Sequence, residues 1–149
     1  MKTTVEMNVS TLLNKQVANW TVLYTKLHNF HWKVKGPHFF TLHQKFEELY
    51  TEASGHIDTL AERVLSIGGK PVATLTACLQ AASIKEANGN ETAEQMVSSV
   101  VDDFALLVDE LKDARKTAVE AEDEATADML LSIQSGLEKH IWMLKAFLQ

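Results

Sequence analysis

The sequence predicts an all-α fold: a four-helix bundle with a short extra helix in the long connection between helices two and three. Three observations predict it. Apolar residues recur at three- and four-residue intervals through four long segments, the period of a helix with one buried face. No stretch alternates apolar and polar residues over the length of a strand. Only two prolines and six glycines interrupt 149 residues, and Ala, Leu, Glu, Lys and Gln, which favour helix, dominate. A chain of this length is the size of one domain, residues 1–149, and can bury a core without disulfides or structural metal.

The first helix is expected over about residues 10–34, with Leu13, Val17, Trp20, Leu23, Tyr24, Leu27 and Phe30 on its apolar stripe. Gly36-Pro37 ends it, because proline lacks an N–H and disfavours α geometry in the residue before it. The second starts between Pro37 and Thr41, with Thr41 and Gln44 spaced as a capping box. It runs to about Ile67, where Gly68-Gly69-Lys70-Pro71 is a strong stop. A short helical piece is expected over about residues 75–82, followed by a loop at Asn88-Gly89-Asn90. Thr92 and Gln95 form a second capping box, opening a helix that carries Met96, Val100, Phe104, Leu107, Val108 and Leu111 and ends near Ala121. The last helix carries Met129, Leu130, Ile133, Leu137, Ile141, Leu144, Phe147 and Leu148. The stretch of about 24 residues between the second and third long helices is long enough to cross the bundle.

Composition excludes several functions. The lone cysteine, Cys78, forms no disulfide within the chain and sits in an apolar run, where a small core residue is expected. A reducing compartment, the cytoplasm, fits this. The opening MKTTVEMNVS has no apolar stretch of signal-peptide length, and no run of about 18 apolar residues is present to span a membrane. The net charge is −6. Residues 86–128 hold 13 of the 20 acids and only 3 of the 14 Lys and Arg. Tight non-specific DNA binding needs several Lys or Arg on phosphates. Before Val9 there is only Lys2, set against Glu6, and the chain ends at Gln149 directly after the last apolar run. Weak or no DNA binding is therefore expected.

Bundles that hold two irons within one chain use Glu-x-x-His pairs on facing helices. None of the six histidines has a Glu three residues before it. Another constellation is present: His31 at the end of helix one, and His43, Glu47, Asp58 and Glu62 on helix two. Imidazole with carboxylate suits iron and related divalent metals better than Mg or Ca. His43 and Glu47 are four apart and share a face, as do Asp58 and Glu62. The 15 residues from His43 to Asp58 span about 22 Å of helix, too far for one metal. Their angular offset is only about 60°, so the two pairs lie near one stripe, at opposite ends. An antiparallel second copy would bring His43 beside its partner's Asp58 and Glu62, with a two-fold axis near Thr51 generating two such sites. Small residues Thr51, Ser54 and Gly55 line the middle of that stripe. The bland alternative is that these acids are solvated or paired with Lys45 and Arg63.

The stretch His31-Trp32-x3-Gly36-x2-Phe39-x3-His43, followed by Asp58-x2-Ala61-Glu62-Arg63, resembles the signature of the Dps family, the ferritin-like mini-ferritins. The similarity extends over nearly the whole chain, through Ile67-Gly68-Gly69-Lys70-Pro71 and Lys139-His140-Ile141-Trp142. The resemblance implies a hollow homo-dodecamer with ferroxidase centres at two-fold interfaces, two irons to each. His31 and His43 would come from one subunit, and Asp58 and Glu62 from its partner. The family often has Asp where Glu47 stands. Zinc or another divalent metal could take the same ligands. The implied reaction is oxidation of Fe(II), with hydrogen peroxide preferred over dioxygen, and storage of the ferric mineral in the cavity. Trp32 would sit beside the centre as an electron donor or as an apolar packing residue. Acids near the last turn, Glu124 and Asp128 with Glu120 and Asp123, would line an iron-entry pore, since carboxylate rings select cations. The competing reading is a DNA-compacting shell with little ferroxidase activity; a bundle without catalysis is a further one.

Overall fold

A computed structural model describes residues 4–149, apart from the side chains at 5–7. Lys2, on which the DNA expectation partly turns, lies outside the described residues, as does the side chain of Glu6. Five helices follow in order: α1 (Thr4–Lys33), α2 (Phe39–Ser66), α3 (Leu75–Ala81), α4 (Ala93–Glu120) and α5 (Glu124–Phe147). No strand occurs among the described residues. The long elements are the four expected helices, and α3 is the short piece inside the connection.

Two boundaries differ from expectation. Helix α1 begins six residues before Ser10, at Thr4. Helix α2 opens at Phe39 with His38 as its N-cap and no side-chain cap, so Thr41 and Gln44 form no capping box. The cause is the turn before it. Gly36 takes φ +110° and its carbonyl accepts from Phe39 N (3.1 Å), while Leu42 N already bonds to His38 O (2.9 Å). Thr41 is thus inside the first turn before it can cap. The other two caps form: Thr74 Oγ1 accepts from Ala77 N at the start of α3, and Thr92 exchanges both bonds with Gln95 at the start of α4.

Helix α1 packs along α2, and α4 along α5. The connections are too short for anything but antiparallel neighbours. The long connection follows α1 from its N-terminal half to its end. Asn14 bonds both Lys70 O (2.9 Å) and Val72 N (2.8 Å), Asn19 Oδ1 accepts from Ser83 N (2.7 Å), and Lys26 Nζ donates to Lys85 O (2.9 Å). Helix α4 therefore starts at the end of the bundle where α2 started, and runs parallel to it. The tight Gly68-Gly69 turn makes this possible: a Cβ at Gly69 would collide with Ser10 and meet Val64 Cγ1 at 2.9 Å.

The expected stripes face inward. Trp20, Leu23, Leu27, Phe30, Phe46, Leu49, Phe104, Leu107, Leu111 and Leu130 are wholly or almost wholly buried. Cys78 is buried as well. Two polar ties cross the core. Lys26 pairs with Asp103 at 2.7 Å, and Glu110 gathers amide donors from Gln16 (3.0 Å) and Asn19 (2.8 Å). These bonds offset most of the cost of burying the groups, although Gln16 Oε1 is left without a partner.

Candidate metal centre

His31 closes α1 and His43 lies in the second turn of α2, so the short turn at residues 34–38 folds one onto the other. Their rings stack at 3.7 Å, 12° from parallel. Each Nδ1 meets the other residue's backbone carbonyl at 2.6 Å. A carbonyl only accepts, so both Nδ1 atoms carry the proton and donate it. In that tautomer the lone pair sits on Nε2. Such bonds fix tautomer and ring orientation in metal-binding histidines. Glu47, one turn on, places Oε1 4.0 Å from His31 Nε2, with its side chain largely in solvent. Tyr50 OH donates to the same Oε1 across a long 3.5 Å.

Asp58 and Glu62 lie at the other end of α2, both exposed. A hydrogen bond with Asp58, and then the Asp58 charge, raise the Glu62 pKa above its usual range. The cations that might have answered them are engaged elsewhere. Arg63 donates from Nε to Thr126 Oγ1 (2.9 Å) and from its terminal nitrogen to Asp123 (2.8 Å), and Lys45 pairs with Glu48. Two acids therefore face water with one another for company. Like charges so placed favour a shared proton or a nearby cation.

The structure brings His31, His43 and Glu47 together, and separately Asp58 and Glu62. Among the described residues no group of three or more His, Cys, Asp or Glu within the chain is arranged to hold a metal ion. Trp32 stands beside the histidine half, 71% exposed and 5.2 Å from the His28 ring.

The acids near the last turn separate into two kinds. Glu120 ends α4, Glu124 begins α5, and both are exposed with Asp128. The helix breaks between them at Glu122, whose φ is +57°, so they do not form one continuous helix face. Asp123 instead caps α5. Burial pushes its carboxyl up, but bonds from Thr126 and the Arg63 guanidinium outweigh this and hold it below the usual carboxylate range. Its carboxylate ties α2 to the α4–α5 turn.

One cluster escaped sequence reasoning. Glu52 accepts from His140 Nε2 (3.0 Å) and lies 3.4 Å from His56 Nε2. His140 first, then His56, depress its pKa to about 2 against the opposing effect of burial. The Trp20 ring packs against His56 at 4.6 Å. The Glu52–His56 spacing was visible, but nothing in the sequence tied His140 to it.

The ferritin-like domain family matches residues 10–149. A relative from Brevibacillus brevis, described as a DNA protection during starvation protein, is 72% identical over the whole of both chains. The chain belongs to the Dps family. The crystal structure of a Dps protein from Bacillus brevis, also 72% identical, superposes with a TM-score of 0.99 over all of both chains. The Vibrio cholerae Dps structure is 35% identical, with a TM-score of 0.95 over 100% of this chain and 94% of that one. That protein is described as a member of a broad superfamily of ferritin-like diiron-carboxylate proteins. The ferritin-like bundle with an extra short helix is thus established for this chain. No helix among the described residues is long and apolar enough to cross a membrane.

Proposed function

We infer that this Dps chain is a ferroxidase that binds two Fe(II) at each two-fold interface and stores the ferric product inside a hollow dodecamer in the cytoplasm. The observation that carries this is the division of ligands along α2. One end presents two imidazoles whose Nε2 atoms are free to ligate, beside Glu47; the other presents two carboxyl groups set against one another. His43, Glu47, Asp58 and Glu62 lie on one helix, with His31 joining from the end of α1, and neither half is a site alone. An antiparallel second copy supplies to each half what it lacks. Large apolar side chains are left in water, Phe40 at 84%, Leu75 at 73%, Trp32 at 71% and Trp142 at 67% exposed, and assembly would cover some of them.

In this reading His31 and His43 of one subunit, with Asp58 and Glu62 of the next, hold the first iron, and Glu47 helps to hold the second. Zinc or cobalt would compete for the same mixed nitrogen and oxygen donors. Two ferrous ions each give one electron to one hydrogen peroxide, which takes two protons and leaves as two waters. Dioxygen is the slower oxidant. The chain's own work is to hold both ions at a shared site, so that peroxide is reduced by two electrons at once. Exposed Glu120, Glu124 and Asp128 line the path by which iron enters; Asp123, tied to Arg63, supports the turn that carries them.

The test is direct. Ferrous iron added without oxygen, then peroxide, gives ferric absorbance with the assembled wild-type protein. A His31→Ala/His43→Ala variant falls to the rate of iron in buffer. Undiminished oxidation by that variant contradicts the assigned site. The relatives' name favours a second reading, DNA coating, but the acidic balance opposes it. A gel shift at physiological salt is expected to show no retardation.

A further inference from the structure

Glu47 is the ligand that the fold holds most loosely, and among the described residues its carboxylate has one side-chain hydrogen-bond donor. That donor is the Tyr50 hydroxyl, 3.5 Å from Oε1. Lys45, two residues earlier, pairs with Glu48 instead. His31 Nε2 lies 4.0 Å from Oε1, but in the tautomer selected by the carbonyl bonds it has no proton to give. Tyr50 is itself fixed. Its ring stacks on His28 at 3.7 Å and 20°, and His28 Nδ1 donates to Tyr24 O at 2.8 Å. The ring also meets His31 edge-on at 5.3 Å.

The distance between the two donors decides what this tether does. A nitrogen and an oxygen each about 2.1 Å from one ion stand about 3.0 Å apart at an octahedral angle and about 3.4 Å at a tetrahedral one. His31 Nε2 and Glu47 Oε1 are 4.0 Å apart, wider than either. The tethered carboxylate therefore stands off the ion that His31 takes. Its side chain is 57% exposed, so without the hydroxyl nothing in the chain would stop it swinging inward. Aspartate, one methylene shorter, would draw the carboxylate back from an already long bond.

We propose that Tyr50 is a positioning residue: its hydroxyl holds Glu47 Oε1 off the ion bound by His31 and so reserves the carboxylate for the second iron. The inference rests on the ferroxidase reading, in which Glu47 helps to hold that iron. The His28 stack fixes the phenol, the phenol fixes the carboxylate, and the two irons do not compete for one acid. A Glu47 that swung onto the first ion would leave the second short of a negative ligand. Reduction of peroxide by two electrons at once needs both ions in place. Tyr50 therefore sets how much Fe(II) is needed to fill the centre.

The experiment is anaerobic calorimetric titration of Fe(II) into the assembled, metal-free protein. The wild type is expected to show two binding steps per centre. Tyr50→Phe keeps the ring stack and removes the hydroxyl. It should weaken the second step about tenfold, the lower end of what losing a hydrogen-bond partner of a ligand costs, and leave the first undiminished. Tyr24→Phe should leave both steps as they are. On a Glu47→Asp background Tyr50→Phe should change little further, because two residues that act through one bond are not additive. An unchanged second step in Tyr50→Phe, equal weakening of both steps, or the full tenfold loss added to that of Glu47→Asp overturns the proposal while leaving the two-iron centre standing. A wild type that binds fewer than two Fe(II) per centre overturns the two-iron reading and the proposal with it.

Discussion

The two ends of α2 differ in how finished they are within one chain. At the start, His31 and His43 are locked ring to ring and carbonyl to imidazole, partly buried, with orientation fixed by the fold itself. At the other end, Asp58 and Glu62 stand exposed and repel one another, with Arg63 turned away to Asp123. One half is preorganised by its own fold; the other holds two carboxyl groups whose mutual repulsion a shared proton or a cation relieves. On the proposed function, the contrast teaches how a binding site can be divided. Soft, neutral donors can be built rigidly inside a subunit, because they cost nothing to hold together. Clustered anions are left where a partner or a metal can complete them.

Substitutions at the two ends should therefore part company. Activity falls the most, and equally: Asp58→Asn/Glu62→Gln and His43→Ala should both lower peroxide-driven ferric formation to the rate of free iron, read by ferric absorbance. Stability should separate them. His43→Ala removes the stack and leaves the His31 carbonyl without its donor, costing about 1–3 kcal/mol. Asp58→Asn/Glu62→Gln removes the repulsion between exposed acids and leaves amides that can still hydrogen-bond, so denaturant midpoints of metal-free protein should hold or rise. Equal losses of stability would erase the distinction drawn between the halves.

The smallest effect comes from the middle of α2, where Glu52 serves neither half. Its folded pKa, about 2, lies below the ordinary carboxylate value of 4.5. A depressed carboxyl stabilises the fold fully above its unfolded pKa and ceases to do so as pH falls toward its folded value. The wild type should lose this contribution between about pH 4.5 and pH 2. Glu52→Gln should be less stable at neutral pH and show a flatter acid limb in thermal melts across that window. The side chain is more than a third exposed, so solvent screening keeps the effect modest. An unchanged acid limb would mean that the two imidazoles do not hold the carboxylate charged.

Much of this was legible in the sequence. The core stripes, the Gly-Gly stop and the Thr92 cap followed from local rules that act within a few residues. The placing of the His43–Glu47 and Asp58–Glu62 pairs at opposite ends of α2 followed from helix arithmetic, since rise and rotation per residue are fixed. What could not be read depended on contacts between distant segments. The Thr41 cap failed because the Gly36 turn started α2 early. Asp123 looked like another pore acid, but Arg63, 60 residues away, claims it for the turn. The His140–Glu52 contact spans 88 residues, and Tyr50 gains meaning only from the rings that α1 brings beside it. Local periodicity places residues on a face; it does not say which residue of another helix meets them.

The central claim is that each metal centre draws its imidazoles and its carboxylates from different copies of the chain. It is tested most directly by mixing two inactive variants, His31→Ala/His43→Ala and Asp58→Asn/Glu62→Gln, unfolding and refolding them together, and measuring ferric formation with peroxide. Each mixed pair then holds one centre with all its ligands intact, so activity should return in the mixture although neither parent has any. A mixture that co-assembles yet stays as inactive as its parents would show that the ligands do not meet across the interface.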